Sequence, residues 1–351
     1  MIASELPTRR PAASIDERVM VRAPGRLHLG FLDPSASLGR AFGSLGVVIE
    51  GFETVVALER APRDALGADG RAAEAELGRA RAHLQRLRDH SGCHGPLRLQ
   101  LHQVLPAHAG FGSGTQLALA IGRAFALWHR LELPTATLAQ WLGRGARSGI
   151  GIAGFDQGGL LLDGGPGAGG RSAPVLARVA LPDAWRIVVV QDRAVQGLSG
   201  EAEKRAIAAL PALPRAAAAD LCHQVLMRVL PGAAGAEFAP FAAGINRLQQ
   251  VLGEHFAPAQ SGRRYASDAV GSLVEWLGQA HVGNEPDADG AGAAIGQSSW
   301  GPTGFAIVAS QARAEALVDA ADAAGVIAPE LSVSVVRASP RGASVIDTRV
   351  N

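Results

Sequence analysis

Hydrophobic and polar positions form blocks along the chain, and the periods of these blocks predict a mixture of strands and helices. Residues 18–33 (RVMVRAPGRLHLGFLD) predict a strand, a Pro-Gly break and a second extended piece. β-Branched residues predict strands over 47–58, and leucines that alternate with polar residues predict a half-buried strand over 97–101. Apolar side chains at steps of three and four predict an amphipathic helix over 77–87, which Gly92 ends.

The next stretch carries the strongest pattern. A strand runs into a glycine-rich turn at Gly110–Gly114 and then directly into a helix, and a further hairpin turn or loop is predicted at Gly164–Gly170. The core face predicted for the helix is Leu117, Ile121, Phe125 and Trp128. The remaining pattern predicts a polar connection over 61–70, a short helix at 138–142, a buried strand at 185–191, helices within 201–280, a loop over 281–304, a strand at 305–309, a helix at 312–324 and a strand at 331–337.

Length and composition place this pattern in a two-domain globular protein. With 351 residues, 48% of them hydrophobic and 19% charged, the chain can bury a sizeable core. We divide it into a flexible tail over 1–17, an N-terminal domain over 18–180 and a C-terminal domain over 181–351.

Charge and cysteine content exclude several classes of partner. The net charge of +1 supplies no overall field that favours nucleic acid or an anionic membrane. Two cysteines cannot build a disulfide framework. Because the chain shows neither a secretory signal nor an apolar run of about 18 residues, we expect a soluble, cytoplasmic protein with no membrane contact.

The glycine-rich turn AGFGSGTQ predicts a site for phosphate. Gly110, Gly112 and Gly114 let the backbone turn sharply and let a ligand approach the main chain. The following helix directs its free N–H groups and the positive end of its dipole into the turn, and Ser113 and Thr115 offer hydroxyls to phosphate oxygens or to Mg²⁺. The alternative is a tight strand-to-helix turn in which one of these hydroxyls caps the helix.

Charged residues of the first strand form a second candidate site. Arg22 and Arg26 flank the Pro-Gly turn, and a guanidinium binds phosphate or carboxylate with two hydrogen bonds. His28 and Asp33 follow and could move protons or steady a cation. The alternative for His28 is a strand histidine whose hydrogen bonds are satisfied within the protein.

Two further glycine-rich passages complete the candidates. Over 148–165, Asp156 or Asp163 could hold a cation or a hydroxyl, while the alternative is a glycine-rich β-hairpin. Over 296–306, a turn-rich loop offers hydroxyls and an aromatic surface for stacking. The side chains offered there are those of Ser298, Ser299, Trp300 and Thr303.

Two other patterns are not interpreted as sites. The pairs Cys93–His94 and Cys222–His223 lack the spacing of a zinc site. A group of arginines within and beside the helix over 77–87 predicts a solvated polar face rather than a basic patch. These arginines are Arg79, Arg81, Arg86 and Arg88.

Three motifs, in their order along the chain, resemble those of the GHMP kinase superfamily. They are PGRLHLGFLD near the start, P-x-x-x-G-x-G-S-G at 106–114 and a glycine- and serine-rich loop near the C terminus. Within the superfamily, the segments GFGSGTQLALAIG, RSGIGIAGFDQGGLLLDGG and GQSSWGPTGFA resemble the β-ribofuranosylaminobenzene 5'-phosphate synthase family. The resemblance extends from Val19 to Arg337, nearly the whole chain.

The resemblance implies a fold and a reaction. The fold is α+β with two domains, an S5-like N-terminal domain and a ferredoxin-like C-terminal domain, and the site lies between them. In the reaction, phosphoribosyl pyrophosphate and 4-aminobenzoate or 4-hydroxybenzoate condense to a C-riboside, with loss of pyrophosphate and carbon dioxide, during synthesis of methanopterin-type cofactors. The expected partners are these small molecules; nucleic acid and membrane are excluded, and a homodimer is left open.

The motifs depart from those of kinases in a way that favours this reaction. Kinases of the superfamily commonly carry a lysine in the first motif and a second serine in the glycine loop. Here Arg26 and Ser113–Gly114 stand instead, and Lys204, the only lysine, lies outside all three motifs. The glycine-rich turn that binds phosphate is therefore retained, while the set of residues needed for phosphoryl transfer is incomplete.

The implied mechanism assigns a role to each candidate. Pyrophosphate, with Mg²⁺, is expected on the amides of Gly110–Thr115, where Thr115 offers a metal ligand and Arg26 neutralises charge. Asp33 would stabilise the ribosyl cation and His28 would handle a proton or orient a substrate. The remaining substrate contacts are expected from Arg22, Asp156, Ser298, Ser299 and Trp300, with Arg22 or Trp300 holding the benzoate.

Two other functions remain as alternatives. One is an ATP-dependent small-molecule kinase in which arginine replaces the missing lysine. The other is a non-catalytic module that binds a phosphate ligand without reaction. Release of ADP would distinguish the first, and binding without turnover the second.

Overall fold

The computed structural model describes residues 17–167, 171–197, 205–280 and 292–349. Its strands are β1 (Arg18–Asp33), β2 (Phe42–Arg60), β3 (Ala65–Ala68), β4 (Leu97–Gln103), β5 (Leu160–Asp163), β6 (Val175–Val179), β7 (Arg186–Asp192), β8 (Ala294–Gln297), β9 (Thr303–Val308), β10 (Leu331–Val336) and β11 (Ser344–Asp347). Its helices are α1 (Arg71–Ser91), α2 (Ser113–Trp128), α3 (Thr135–Trp141), α4 (Ile150–Gln157), α5 (Arg215–Gln224), α6 (Leu230–Ala234), α7 (Phe238–Phe256), α8 (Asp268–Gln279) and α9 (Gln311–Ala323).

Several sequence-based predictions fall outside this part of the chain. They concern residues 1–16 of the predicted tail, Lys204 and the first part of the predicted loop over 281–304. Among the residues described, no helix is both long and apolar enough to cross a bilayer.

Two sheets organise the chain. The larger sheet has the order β11-β1-β2-β4-β3, and β5 pairs with β2 and carries β6. The smaller sheet has the order β10-β7-β9-β8, and all its pairs are antiparallel. α2 packs on β1 and β2 of the larger sheet, and α8 and α9 pack on strands of the smaller one. This is the predicted α+β architecture.

The last strand corrects the predicted domain division. The chain passes from the larger to the smaller sheet between β6 and β7, on either side of residue 181. β11 then returns to the larger sheet and pairs antiparallel with β1, with Asp347 opposite Val19. It thereby covers an edge of β1 that would otherwise be open to solvent, so the C-terminal residues do not all belong with the second sheet.

α2 is the central helix of the larger sheet. Leu117, Ile121 and Phe125 are buried, as predicted, and each contributes about 1.5–3 kcal/mol by leaving water. Trp128, the fourth predicted core residue, is only half-buried, and the Arg349 guanidinium lies 4.8 Å from its ring centroid. The firm packing of α2 fixes the position of the glycine-rich turn at its start.

The passage over 148–165 is not a hairpin. It forms α4 and β5, separated by Gly158 and Gly159 at φ of 70° and 83°. The buried Asp163 carboxylate accepts hydrogen bonds from the amides of Gly149 and Gly165, both at 2.8 Å, and burial raises its pKa. Asp163 therefore ties the ends of this passage together within the protein.

Two short strands lie where the pattern predicted loops. β3 pairs parallel with β4, and β8 pairs antiparallel with β9. Each has only four residues and depends on its partner strand rather than on a local pattern. By contrast, α1 ends as predicted at Gly92, whose φ is 72° and whose N–H donates to Arg88 O at 2.8 Å.

A continuous apolar core joins the two sheets. Leu27 and Leu29 of β1, Phe241 and Leu248 of α7 and Phe305 of β9 belong to one buried cluster. Because this cluster crosses from one sheet to the other, it holds β1 at a fixed place relative to the C-terminal strands.

Candidate active site

A cavity of about 580 Å³ lies between the glycine-rich turn, β1 and the loop that precedes α4. Its volume suits a small-molecule ligand. The predicted residues found in its wall are Arg26, His28, Gly110, Gly112, Ser113, Gly114, Thr115 and Ser299.

Local geometry explains the glycines of the turn. Gly110 and Gly112 have φ of 93° and 75°, in the left-handed region that other residues rarely adopt. A Cβ on Gly110 would lie 2.6 Å from Ser298 O, and a Cβ on Gly112 would overlap Arg26 Nη1. The turn therefore brings its main chain closer to these groups than a side chain would permit.

The first turn of α2 forms part of the cavity wall. Gly112 is the N-cap residue, and no side chain in the described part of the protein caps the helix. The alternative in which Ser113 or Thr115 serves as the cap is therefore wrong. Because Ser113, Gly114 and Thr115 line the cavity, the positive end of the helix dipole faces this space.

Four arginines also line the cavity. Arg26 comes from β1, Arg79 from α1, and Arg144 and Arg147 from the loop before α4. Arg79 Nη1 lies 2.9 Å from Glu76 Oε2, but no carboxylate belongs to the wall among the described residues. The field in the cavity is therefore positive, which suits a ligand with several negative charges.

Several polar residues of the wall are not predicted by the sequence pattern. The predicted solvated face on α1 is wrong for Arg79, which reaches the cavity, and for Arg88, which is buried and donates two hydrogen bonds to Asp64 at 2.6 and 2.7 Å. A signal was present, because Glu76, Arg79 and His83 recur at steps of three and four on one side of the helix. The missed wall residues with polar side chains are Arg79, His108, Arg144, Arg147 and Ser148.

Five predicted residues lie outside the wall of this cavity, and three of them are engaged elsewhere in the protein. Arg22 Nη1 lies 2.5 Å from Glu53 Oε1 in a separate groove. The Asp33 carboxylate accepts hydrogen bonds from backbone amides two and four residues along the chain, at 3.1 and 2.8 Å, and so holds its own turn. Asp156 accepts a hydrogen bond from Thr135 Oγ1 at 2.6 Å. The geometry does not place these three side chains where they were predicted to act.

Ser298 joins the three motifs instead of facing the cavity. It is fully buried, and its Oγ accepts a hydrogen bond from His28 N–H at 2.9 Å and donates one to Gly110 O at 2.8 Å. Because both bonds engage its hydroxyl within the protein, Ser298 does not take the role of substrate contact that the sequence predicted. The adjacent Ser299 does line the cavity, and its N–H donates to His28 O at 3.2 Å.

A smaller cavity of about 40 Å³ adjoins the first. The two share His28, Phe31 and Ser299 in their walls. Trp300 lines the smaller cavity, and its ring centroid lies 4.8 Å from that of Phe256. The aromatic surface predicted at Trp300 therefore stands beside the site.

His28 lies where the two cavities meet. It is only 6% exposed, and burial, followed by the charges of Arg26 and Arg147, lowers its pKa to about 3. At neutral pH the ring is uncharged and cannot act as an acid. Its buried Nε2 has no hydrogen-bond partner within the described residues, so the geometry favours orientation of a substrate over proton transfer.

Acidification is expected to destabilise the fold through His28 and His83. Burial and then neighbouring arginines lower the pKa of His83 also to about 3. Between about pH 6 and 4 the unfolded chain binds protons that the folded chain excludes, so the free energy of unfolding should fall by about 1.4 kcal/mol per pH unit for each histidine. Urea unfolding over this range should show a shallower pH dependence for His83→Gln.

The exposed His94 provides the matched control for this experiment. The variant His94→Gln should keep the pH dependence of the wild type. Identical slopes for the wild type and His83→Gln would contradict the assignment of a neutral, buried His83.

The described wall residues lack the carboxylate ligands that Mg²⁺ usually takes from a protein. Mg²⁺ prefers carboxylate and other oxygen ligands, whereas the described wall offers only hydroxyls such as that of Thr115. Likewise, the described residues contain no group of three or more His, Cys, Asp or Glu side chains placed to hold a metal ion. The expected Mg²⁺ stays a prediction, and no protein ligand set for it is formed here.

Comparison with known proteins agrees with this geometry. The GHMP kinases N terminal domain matches residues 78–162, which include the turn and three of the four cavity arginines, and the GHMP kinases C terminal domain matches residues 236–327. A beta-ribofuranosylphenol 5'-phosphate synthase from Archaeoglobus fulgidus is 32% identical over 305 residues, which cover 83% of this chain and 88% of that protein. The chain belongs to this synthase family. A second member, from Methanothermobacter thermautotrophicus, is 30% identical over 249 residues, covering 66% of this chain and 75% of that protein.

Solved structures of two GHMP kinases share the fold of this chain. Phosphomevalonate kinase from Streptococcus pneumoniae matches with a TM-score of 0.66 at 12% identity, over 92% of this chain and 100% of that one. Homoserine kinase from Cytophaga hutchinsonii matches with a TM-score of 0.60 at 17% identity, over 96% and 100% of the two chains. The predicted family and fold are both confirmed.

Proposed function

We propose that this member of the synthase family joins phosphoribosyl pyrophosphate to a 4-substituted benzoate, with release of pyrophosphate and carbon dioxide. The observation that carries the proposal is the cavity wall, which combines four arginines and the first turn of α2 with no carboxylate among its described residues. The relatives are named for a ribofuranosylphenol, which makes 4-hydroxybenzoate the first candidate and 4-aminobenzoate the second.

The reaction requires charge stabilisation rather than net proton transfer. The bond from ribose C1 to the diphosphate oxygen breaks, and the ring carbon that carries the carboxylate forms a bond to C1. Carbon dioxide then leaves, and the electrons of its bond to the ring restore aromaticity. The negative charge of the carboxylate thus ends on pyrophosphate. A protein that catalyses this reaction must stabilise charge on the leaving group.

The residues present suit that requirement. Arg26 and the amides around Gly112 would bind the diphosphate and stabilise the charge that develops on it. The neutral His28 would orient the substrates, and the aromatic ring would approach from the smaller cavity lined by Trp300. Asp33 takes no part in this proposal because its carboxylate is engaged in its own turn.

A kinase reaction fits the wall less well. Phosphoryl transfer to an alcohol commonly uses a carboxylate to orient the hydroxyl and further carboxylates to hold Mg²⁺. The described wall contains none of these. The likeness to solved kinases is therefore a likeness of fold.

The test uses phosphoribosyl pyrophosphate and 4-hydroxybenzoate labelled with ¹³C at the carboxyl group. Mass spectrometry should detect labelled carbon dioxide together with an unlabelled riboside 5'-phosphate. A parallel incubation with ATP and candidate alcohols tests the kinase alternative. Formation of ADP without labelled gas would overturn the proposal, and ligand binding without any product would support a non-catalytic module.

A further inference from the structure

The cavity arginines form two groups around the first turn of α2. Arg26 lies over Gly112, where a Cβ would overlap its Nη1. Arg79 and Arg144 lie over Gly114, where a Cβ would be 2.6 Å from Arg79 Nη2 and 3.4 Å from Arg144 Nη1. Glycine thus permits a guanidinium to approach the main chain at both places.

The two groups concentrate positive charge in different places. After burial, the charges of Arg26 and Arg147 lower the pKa of His28, whereas those of Arg144 and its neighbours lower the pKa of His83. Burial and the adjacent arginines also lower the pKa of Arg144 itself. An anion bound between the guanidinium groups would offset this repulsion in each group.

The smaller cavity distinguishes the two groups. It meets the main cavity at His28, Phe31 and Ser299, and its apolar wall includes Leu252 and Trp300. None of the four cavity arginines belongs to its described lining, but Arg26 lies two residues from His28 on β1, so both side chains project from the same face of that strand. An aromatic substrate that enters here therefore reaches the ribose from the side of His28 and its neighbouring arginines.

The chemistry of the sugar then assigns the phosphates. The incoming ring and the departing diphosphate both bond to C1 of the ribose, so the diphosphate belongs at the end of the cavity next to the aromatic ring. The 5'-phosphate lies at the other end of the same sugar. We propose that Arg79 and Arg144, with the amides beside Gly114, bind the 5'-phosphate, while Arg26, with the amides beside Gly112, binds the diphosphate.

This assignment rests on the proposed function but can be tested without turnover. Calorimetry would measure the binding of two probes, ribose 5-phosphate and inorganic pyrophosphate, to the full-length wild type, Arg144→Gln and Arg26→Gln. We expect Arg144→Gln to weaken ribose 5-phosphate at least about 10-fold and pyrophosphate less than about 3-fold. Arg26→Gln should show the reverse pattern. Should Arg144→Gln fold poorly, Arg79→Gln provides a second variant of the pair formed by Arg79 and Arg144.

Arg81→Gln is the matched control, because Arg81 lies exposed on the same helix as Arg79 and outside the cavity. It should bind both probes like the wild type, and thermal melting should show that all variants fold. Three results would overturn the assignment. They are equal losses for both probes, a greater loss of pyrophosphate than of ribose 5-phosphate in Arg144→Gln, and a wild type that does not bind ribose 5-phosphate. If the crossed pattern appears without formation of any riboside, the assignment stands and the proposed reaction fails.

Kinetics supply a second readout in an active enzyme. For phosphoribosyl pyrophosphate, Arg144→Gln should raise KM at least about 10-fold with little change in kcat, as loss of uniform binding does. With ribose 1-diphosphate, which lacks the 5'-phosphate, Arg144→Gln and the wild type should have equal kcat/KM. A large loss for both substrates would contradict a specific contact to the 5'-phosphate.

Discussion

Replacement of Arg26 by alanine is expected to lower kcat for riboside formation by about 10²–10³-fold, the loss found when one preorganised donor to a developing charge is removed. The side chain lies over Gly112 in the cavity wall, where the proposed leaving group gains its charge. Initial rates of carbon dioxide release, measured at saturating substrates, report this effect. Thermal melting of the same variant shows whether the fold is retained.

Two other substitutions refine this experiment. Arg26→Lys should recover only part of the rate, because an ammonium supplies charge without the planar pair of donors. Arg22→Ala is the matched control, since Arg22 lies on the same strand but is paired with Glu53 outside the cavity. Turnover of Arg26→Ala within about 10-fold of the wild type would remove Arg26 from the mechanism.

The substitution Gly112→Ala is expected to reduce kcat/KM about 100-fold, because it displaces either Arg26 or the turn that binds phosphate. The new Cβ would occupy the place of Arg26 Nη1, and the φ of 75° would strain alanine by about 1–2 kcal/mol. Steady-state kinetics with phosphoribosyl pyrophosphate measure the first effect, and urea unfolding measures the second.

Gly78→Ala is the control for this second substitution. Gly78 lies exposed within α1, and a Cβ there would have no atom within 4 Å. Alanine should therefore stabilise the helix by up to about 1 kcal/mol and leave the kinetics unchanged. Wild-type kcat/KM in Gly112→Ala would show that close contact between the turn and Arg26 is not needed.

The glycine-rich turn could be predicted from the sequence because its signal is local. The glycines, the start of α2 and its apolar face all lie within a short stretch, and the structure places Gly110, Gly112 and Thr115 in the cavity wall. Arg26 also follows from the sequence, since the first motif supplies a guanidinium where kinases of the superfamily commonly have lysine. These residues can be predicted because the sequence immediately around each of them carries the signal.

The other residues depend on contacts between distant segments. Arg79 looked like one of several exposed arginines on α1, and only the packing of this helix against α2 places it beside Gly114. Asp156 looked like a free carboxylate in a glycine-rich sequence, but Thr135, 21 residues away along the chain, donates a hydrogen bond to it. Which polar groups remain available to a ligand is decided by tertiary hydrogen bonds, which spacing along the chain does not reveal.

Through the hydroxyl of Ser298, the site depends on residues from both ends of the chain. This hydroxyl connects His28 with Gly110, across separations of 270 and 188 residues. A fragment that ended near residue 181 would keep every cavity arginine yet lack the hydroxyl that holds the His28 amide and the Gly110 carbonyl together. We therefore expect an isolated N-terminal half to be catalytically inert.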